Sequence, residues 1–430
     1  MSASLVLLIA VFLVLILAGM PIAWAMLAAS VSWIILTGNY QFLQVIPQRL
    51  FEGIDVFVLL AIPLFVLTGE IINAGKVTEK LINMADVCFG RLRGGLAQVN
   101  IGTSILFSGI TGTAVGDVAA LGRVFIPAMT GQGFPAAYAA AVTAASSIVG
   151  PMVPPSLVII VFGAATGMSI GAMFAACVIP GILIGVMQML LVAALPQAAS
   201  RRRDIDRSFP AVMQASRAAV VPLMIPLIII VSIISGIATP TEAGAIAAGY
   251  TLLITLLLYR TLRLNNLPGI FSRAMVFSSQ LMILVGCGAI LSWILAVERV
   301  PELLNAFLVS TDMSAVTSLV FLNVFLLIAG MFIDTAAAII LFSPLLMAAA
   351  TNVGIHPLHF SVIMILNLNI GLLTPPLGIC LLTAESIAGC ELPALIKALA
   401  PFLLVNIIAL LIITYIPEIS LLLPRYLGFQ

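Results

Sequence analysis

The chain has 430 residues, of which 63% are hydrophobic and only 8% charged, with a net charge of +1. At a mean hydropathy of +1.28 it carries too little polar surface to cover a soluble domain of this length. Near-neutrality without a basic arm excludes nucleic acid as a partner, and apolar runs that are continuous rather than alternating exclude a β-barrel.

In chain order, apolar segments lie near 5–18, 21–37, 56–74, 97–130, 134–167 and 170–199. The first, "SLVLLIAVFLVLILAGM", lacks a basic n-region and an A-x-A cleavage site, so it reads as a retained helix rather than a signal peptide. A charged joint, "RRRDIDRSFP" at 201–210, precedes a second series near 218–238, 240–260, 275–297, 317–350, 360–389 and 397–423. Runs of this length predict an all-α polytopic membrane protein with about 10–12 transmembrane segments.

Several chemistries drop out early. Cys88, Cys177, Cys287, Cys380 and Cys390 are scattered without a C-x-x-C pair and read as small buried hydrophobes. His356 and His359 flank Pro357 with no third ligand nearby, which gives no metal site. There is no P-loop, so the chain does not hydrolyse ATP itself. An intramembrane aspartyl protease needs G-x-G-D, whereas Ala114-Val115-Gly116-Asp117 stands here and the companion Y-D motif is missing. The chain does not read as an enzyme.

The two series repeat. Gly109 matches Gly330, Gly133 matches Gly354, Gly150 matches Gly371, and Pro154-Pro155 matches Pro375-Pro376, all at one offset of 221 residues (330 − 109). "GMPIAWAMLAAS" at 19–30 likewise resembles "ATPTEAGAIAAG" at 238–249. The division is a first repeat at 1–200, a basic connector at 201–217 and a second repeat at 218–430. The connector 75–95 holds Lys76, Lys80, Arg91 and Arg93 against Glu79 and Asp86, net +2. Its counterpart, 298–316, holds Arg299 against Glu298, Glu302 and Asp312, net −2. Lysine and arginine stay cytoplasmic, so the first connector, Arg201–Arg203 and the cluster Arg260, Arg263 and Arg273 read as inside and the second connector as outside. Five crossings per half satisfy this, with the N-terminus outside. An odd number inverts the second repeat, an arrangement typical of secondary transporters.

Segments 97–130 and 317–350 each carry a polar kink, "GITGTAVGD" and "GMFIDTAAA". Each half of such a segment is too short for a full span, so each predicts a re-entrant helical hairpin, whose tip must be buried in protein or line a watery cavity. The following segments, 134–167 and 360–389, are helices broken by the proline pairs in "SSIVGPMVPPS" and "NLNIGLLTPPLG". Paired prolines remove N–H donors and free the carbonyls around Gly150–Val153 and Gly371–Thr374. Each tip is expected to pack on the broken helix of its own repeat and to build a cation site. The first site would use Thr111, Gly112 and Thr113 with Ser146, Ser147 and Gly150. The second would use Asp334 and Thr335 with Asn369, Gly371 and Thr374. Hard oxygen ligands without thiol or imidazole suit sodium, at two or more sites and with no organic cofactor. A carboxylate deep in an apolar run makes Asp334 the sharpest candidate. Asp117 reads as a helix cap and Arg123 as its partner or a snorkelling residue. Substrate-facing candidates are Thr113, Pro155, Ser156, Glu242, Thr335 and Pro376; Glu242 also sits where a cap is expected after Pro240. Glu385 is left unassigned.

"GITGTAVGDVAALG", "GPMVPPS", "TPTEAG" and "NLNIGLLTPPLG", in that order over essentially the whole chain, resemble the large membrane subunit of a TRAP (tripartite ATP-independent periplasmic) transporter. The resemblance implies sodium-coupled import of a small organic acid across the bacterial inner membrane by an elevator mechanism. It also implies a separate four-helix membrane subunit and a periplasmic substrate-binding protein as partners. By position, the family's sodium sites fall on the first tip with Gly150, and on the second tip with Asp334 and the 371–374 break. The alternatives are a stand-alone sodium/carboxylate symporter and a non-transporting scaffold subunit. The substrate itself is not legible.

Overall fold

The computed structural model describes residues 3–196, 209–303, 306 and 314–429, with side chains placed except at 107–111, 209–211 and 215. Residues 201–208 of the basic connector and 304–305 and 307–313 of the second connector therefore lie outside the described residues. Among the described residues every regular element is helical.

The first half opens with α1 (Ala3–Leu17), α2 (Ile22–Leu36), α3 (Val45–Ile54), α4 (Ala61–Ala74) and α5 (Thr78–Phe89). The first hairpin is α6 (Leu96–Thr111) with α7 (Ala114–Gly131), and the first broken helix is α8 (Ala136–Ser147) with α9 (Leu157–Thr166), followed by α10 (Ile170–Ala194). The second half starts with α11 (Phe209–Ile234), α12 (Pro240–Leu253) and α13 (Leu267–Val297). Its hairpin is α14 (Ala315–Phe332) with α15 (Thr335–Asn352), and its broken helix is α16 (Pro357–Gly371) with α17 (Ile379–Ala388). Helices α18 (Leu392–Tyr415) and α19 (Glu418–Tyr426) close the chain.

Eight described helical stretches are long and apolar enough to cross a membrane. The sequence expectation of 10–12 counts each proline-broken segment as one crossing. The structure divides those segments into pieces of 12 and 10, or 15 and 10, residues. Two cis prolyl bonds, Pro154–Pro155 and Pro375–Pro376, lie in the gaps. Prolines also occur inside intact helices, at Pro127, Pro180 and Pro344 among others; packed neighbours satisfy the freed backbone where lipid could not.

The two halves are arranged with opposite polarity. The C-terminal end of α4 meets the N-terminal end of α13, where Arg273 Nε lies 2.8 Å from Glu70 Oε2. At the far end of α13, Trp33 Nε1 donates to Glu298 Oε1 at 2.9 Å, and Phe42 packs edge-on to Trp293. The first hairpin follows α5 at the end holding Lys76, Lys80, Arg260 and Arg273. The second follows Glu298 at the opposite end. Across the halves, α2 packs on α13 and α12 packs on α4, an exchange expected of two inverted repeats.

Two groups of helices result. Helices α1–α5 and α11–α13 form one, and the hairpins, broken helices, α10 and α18 form the other. They meet where α5 packs on α6, α4 on α6 and α9, and α13 on α15. The second group holds the densest burial: every residue of α8 from Tyr138 to Ser147 is buried, as is all of α16 from Leu358 to Gly371.

Candidate cation and substrate site at the hairpin tips

Each hairpin turns in two residues. Gly112 adopts the left-handed conformation at φ 64°, and Thr113 follows as N-cap of α7, its hydroxyl accepting from Gly116 N at 3.2 Å. In the second hairpin Ile333 and Asp334 make the turn, and Asp334 Oδ2 accepts from Ala336 N at 3.0 Å as N-cap of α15. Asp334 and Thr113 are therefore the same position in the two repeats and do the same local work. The aspartate expected to cap, Asp117, does not fill that role. It is 1% exposed, and its carboxylate presses against the Cα of Gly150 so closely that a Cβ there would collide with Oδ2. Asp117 has Ala338 as its counterpart in the second repeat, so this contact belongs to the first site alone. Arg123, by contrast, is exposed.

The tips sit at the helix breaks. A Cβ on Gly112 would lie 2.7 Å from Leu157 N, at the start of α9. Gly330 and Gly371 meet backbone to backbone, and a Cβ on Gly371 would lie 2.5 Å from Gly330 C. The broken helix 136–166 extends about 18 Å on one side of its gap and about 15 Å on the other, at 1.5 Å per residue. A tip held at that gap is thus near the middle of the span. The arms themselves run to 18 residues, longer than a half-membrane segment requires.

Packing at the breaks differs from the expectation in one respect. Each hairpin does pack on the first piece of its own broken helix, α6 and α7 on α8, and α14 and α15 on α16. The second pieces cross over: α17 packs on α7 and α8, and α9 packs on α15. The chain turns at the proline pairs, which carries each second piece to the other repeat. The two sites are consequently neighbours: α17, with the buried Cys380 in its first turn, lies against α7 and α8 of the first site.

In the second site, the Thr335 hydroxyl donates to Asn369 Oδ1 at 3.2 Å, and Asn369 Nδ2 donates to Ile365 O at 2.7 Å. The Thr374 hydroxyl donates to Ile370 O at 2.9 Å, and Thr374 N donates to Gly371 O at 2.9 Å. In the first site, the Ser146 hydroxyl donates to Thr143 O at 3.2 Å and Ser147 to Ala144 O at 2.7 Å. The side chain of Thr111 lies outside the described residues. Several carbonyls at the breaks are not free: Val149 O accepts from both Met152 N and Val153 N, and Leu372 O accepts from Cys380 N across the gap. Val149 O thus has both lone pairs engaged, whereas Leu372 O accepts one bond and keeps a lone pair for a cation.

Of the substrate-facing candidates, Pro155 and Ser156 are buried under the first tip, with Ser156 capping α9 through Ile159 N at 3.4 Å. Pro376 is exposed, and Thr113 is half-buried. Glu242 belongs to a capping box: its carboxylate accepts from Thr239 N at 2.8 Å, and its own N–H donates to Thr239 Oγ1 at 3.3 Å. That helix packs on α4 and α11. Thr239→Ala is expected to lower the thermal stability of the detergent-solubilised chain by about 1 kcal/mol. Glu242→Gln keeps an acceptor and is expected to leave transport unchanged; lost uptake with normal folding would assign Glu242 to the substrate.

A polar seam missed in the sequence locks each hairpin to its broken helix. Asn100 Nδ2 donates to Thr143 Oγ1 at 2.7 Å, and Ser104 Oγ donates to Ser146 Oγ at 3.0 Å. In the second repeat, Asn367 Nδ2 donates to Asn323 Oδ1 at 2.7 Å. Asn100 and Ser104, one turn apart on the same face of α6, were the legible signal.

The chain's likeness to known proteins agrees with this geometry. Residues 9–419 match the family described as "Tripartite ATP-independent periplasmic transporter, DctM component". The chain is 34% identical over 382 residues to the C4-dicarboxylate TRAP transporter large permease protein DctM of Pseudomonas aeruginosa, covering 89% of this chain and 90% of that one. It is 34% identical over 425 residues to the sialic acid TRAP transporter large permease protein SiaM of Vibrio cholerae, covering 96% and 97%. In fold it resembles the Alcanivorax borkumensis YdaH transporter, with a TM-score of 0.62 at 15% identity over 91% of this chain and 89% of that one. The matched relatives are permeases and not enzymes. This multi-span membrane protein belongs to the DctM family, the large permease subunits of tripartite ATP-independent periplasmic transporters.

Proposed function

We propose that this chain couples the entry of sodium to the import of a small organic acid across the bacterial inner membrane, by an elevator movement of its hairpin-bearing helices. The observation that carries the reading is the meeting of two hairpin tips with two helix breaks near mid-span, where hydroxyls, amide oxygens, carbonyls and carboxylates converge. Such oxygens are hard ligands suited to an alkali cation, and helix ends at a break offer dipoles to an anion. Asp334, Thr335, Asn369, Gly371 and Thr374 supply the second cation site. Gly112, Thr113, Ser146, Ser147 and Gly150 supply the first, with Asp117 now added to it.

Helices α1–α5 and α11–α13 serve as the fixed scaffold. The lysine- and arginine-rich end faces the cytoplasm, which sets the N-terminus in the periplasm. A four-helix membrane subunit and a periplasmic binding protein complete the system, in keeping with relatives named for C4-dicarboxylate and sialic acid.

Reconstitution in proteoliposomes tests this. With the small subunit and loaded binding protein present, an inward sodium gradient is expected to drive uptake, and uptake indifferent to sodium would overturn the coupling. Uptake by the chain alone, with no binding protein, would identify a stand-alone symporter.

A further inference from the structure

A cluster of basic side chains lies away from the hairpins, at one end of the α5, α11 and α12 group. Helix α12 does not end regularly: residues 254–258 form a π-turn closed by Tyr259 N donating to Ile254 O at 2.8 Å. The wide turn carries Tyr259 onto α5, where the Lys80 ammonium sits 4.2 Å from the ring centroid. Gly75, at the end of α4, packs on Thr255, which brings Lys76 to the same notch. Helix α11 enters it too, because Ser216 Oγ lies 3.9 Å from Met84 Sδ and Arg217 is the next residue. Leu262 folds back into a small apolar cluster with Ile71, Ile270 and Ala274, placing Arg263 at the rim.

Lys76, Lys80, Arg217, Arg260 and Arg263, five cations from three stretches of chain, thus gather at one notch, against the exposed Glu79 and half-buried Asp86 of α5. Lys76, Arg217, Arg260 and Arg263 are exposed and make no ion pair among the described residues. Elsewhere, Arg49, Arg273 and Arg425 each have a carboxylate. Lys76 and Arg260 also hold left-handed backbone, at φ 55° and 52°, where glycine is the cheaper residue. Beneath the cations, α11 and α12 expose Val220, Leu253 and Leu257. Charge at the membrane boundary above an exposed apolar strip is complementary to one kind of molecule: a phosphate headgroup carrying its acyl chains.

We propose that this notch is a binding site for an anionic phospholipid, with its phosphate among Lys76, Lys80, Arg217 and Arg260 and an acyl chain along Val220 and Leu257. A lipid held there straps α5, which leads directly into the first hairpin, to α11 and α12 of the scaffold.

The test uses the purified full chain in detergent, titrated with phosphatidylglycerol, phosphatidylcholine or inorganic phosphate, with thermal unfolding and retained lipid by mass spectrometry as readouts. The variants are Lys76→Gly with Arg260→Gly, which remove charge where glycine suits the backbone, and Lys80→Gln with Arg217→Gln. Phosphatidylglycerol is expected to raise the unfolding temperature of the native chain, whereas phosphatidylcholine and inorganic phosphate do not. Each charge removed should weaken phosphatidylglycerol retention about fivefold, while the glycine pair stays as stable as the native chain in neutral detergent. Equal retention by native chain and variants would overturn the proposal. So would an equal response to inorganic phosphate, which marks a free-anion site. Loss of small-subunit binding with lipid retention unchanged would show instead that the notch docks protein.

Discussion

Asp334→Asn is expected to weaken the sodium dependence of uptake by about tenfold or more, because a cation loses its one full negative charge in the second site. The design separates the proposed ligand role of Asp334 from the cap it makes in the structure. Asp334 caps α15 through Ala336 N, so Asp334→Ala removes both the charge and the cap and should cost about 1 kcal/mol of stability besides. Asparagine is a good cap without charge, so Asp334→Asn should fold and insert normally. Sodium titration of uptake, paired with thermal unfolding in detergent, reads the two effects apart. A native sodium half-saturation in Asp334→Asn would sink the role given to this carboxylate and leave it a cap alone. Asp117→Asn should affect the first site in the same direction, since its carboxylate already lies against Gly150.

Gly371→Ala should be strongly damaging, because the methyl group meets backbone rather than a side chain. Its Cβ would lie 2.5 Å from Gly330 C and 2.6 Å from Gly330 Cα, and backbone cannot swing aside as a side chain can. Overpacking of this kind costs about 1–3 kcal/mol, here by prising the second hairpin from its broken helix. Both the unfolding temperature and transport should fall, and Gly330→Ala should behave alike because the contact is mutual. Gly249→Ala is the control: it lies in α12 with nothing within 4 Å of its Cβ, so it should be neutral or slightly stabilising. Equal behaviour of Gly371→Ala and Gly249→Ala would show that the hairpin and broken helix are not held in this contact.

The division between what the sequence reveals and what it hides follows from the range of the interactions involved. Paired prolines and glycine-rich kinks act on their own few residues, so the hairpin turns and helix breaks were legible from local chemistry and from one constant offset. Charge at the connectors set the polarity of the halves, because the cost of moving lysine or arginine across a bilayer does not depend on the fold. Roles that depend on what comes near in space were misjudged. Asp117 looked like a cap because it stands near a helix start, yet Thr113 does that work and Asp117 reaches across to Gly150. Asp334 looked like a pure ligand, yet it occupies the capping position equivalent to Thr113. Asn100, Asn323 and Asn367 attracted no notice, since a single amide in an apolar helix has meaning only once its partner helix is known.

The sequence by itself determined an all-helical membrane protein of two inverted repeats, each with a hairpin and a proline-broken helix, because periodicity, proline and charge are properties of the chain. Only the tertiary structure decided that α9 and α17 exchange hairpins and that the two candidate sites adjoin at α17. The same holds for the gathering of cations from three distant stretches of chain at one notch. Contacts between residues hundreds of positions apart leave no local trace, and they become visible only when packing brings the helices together.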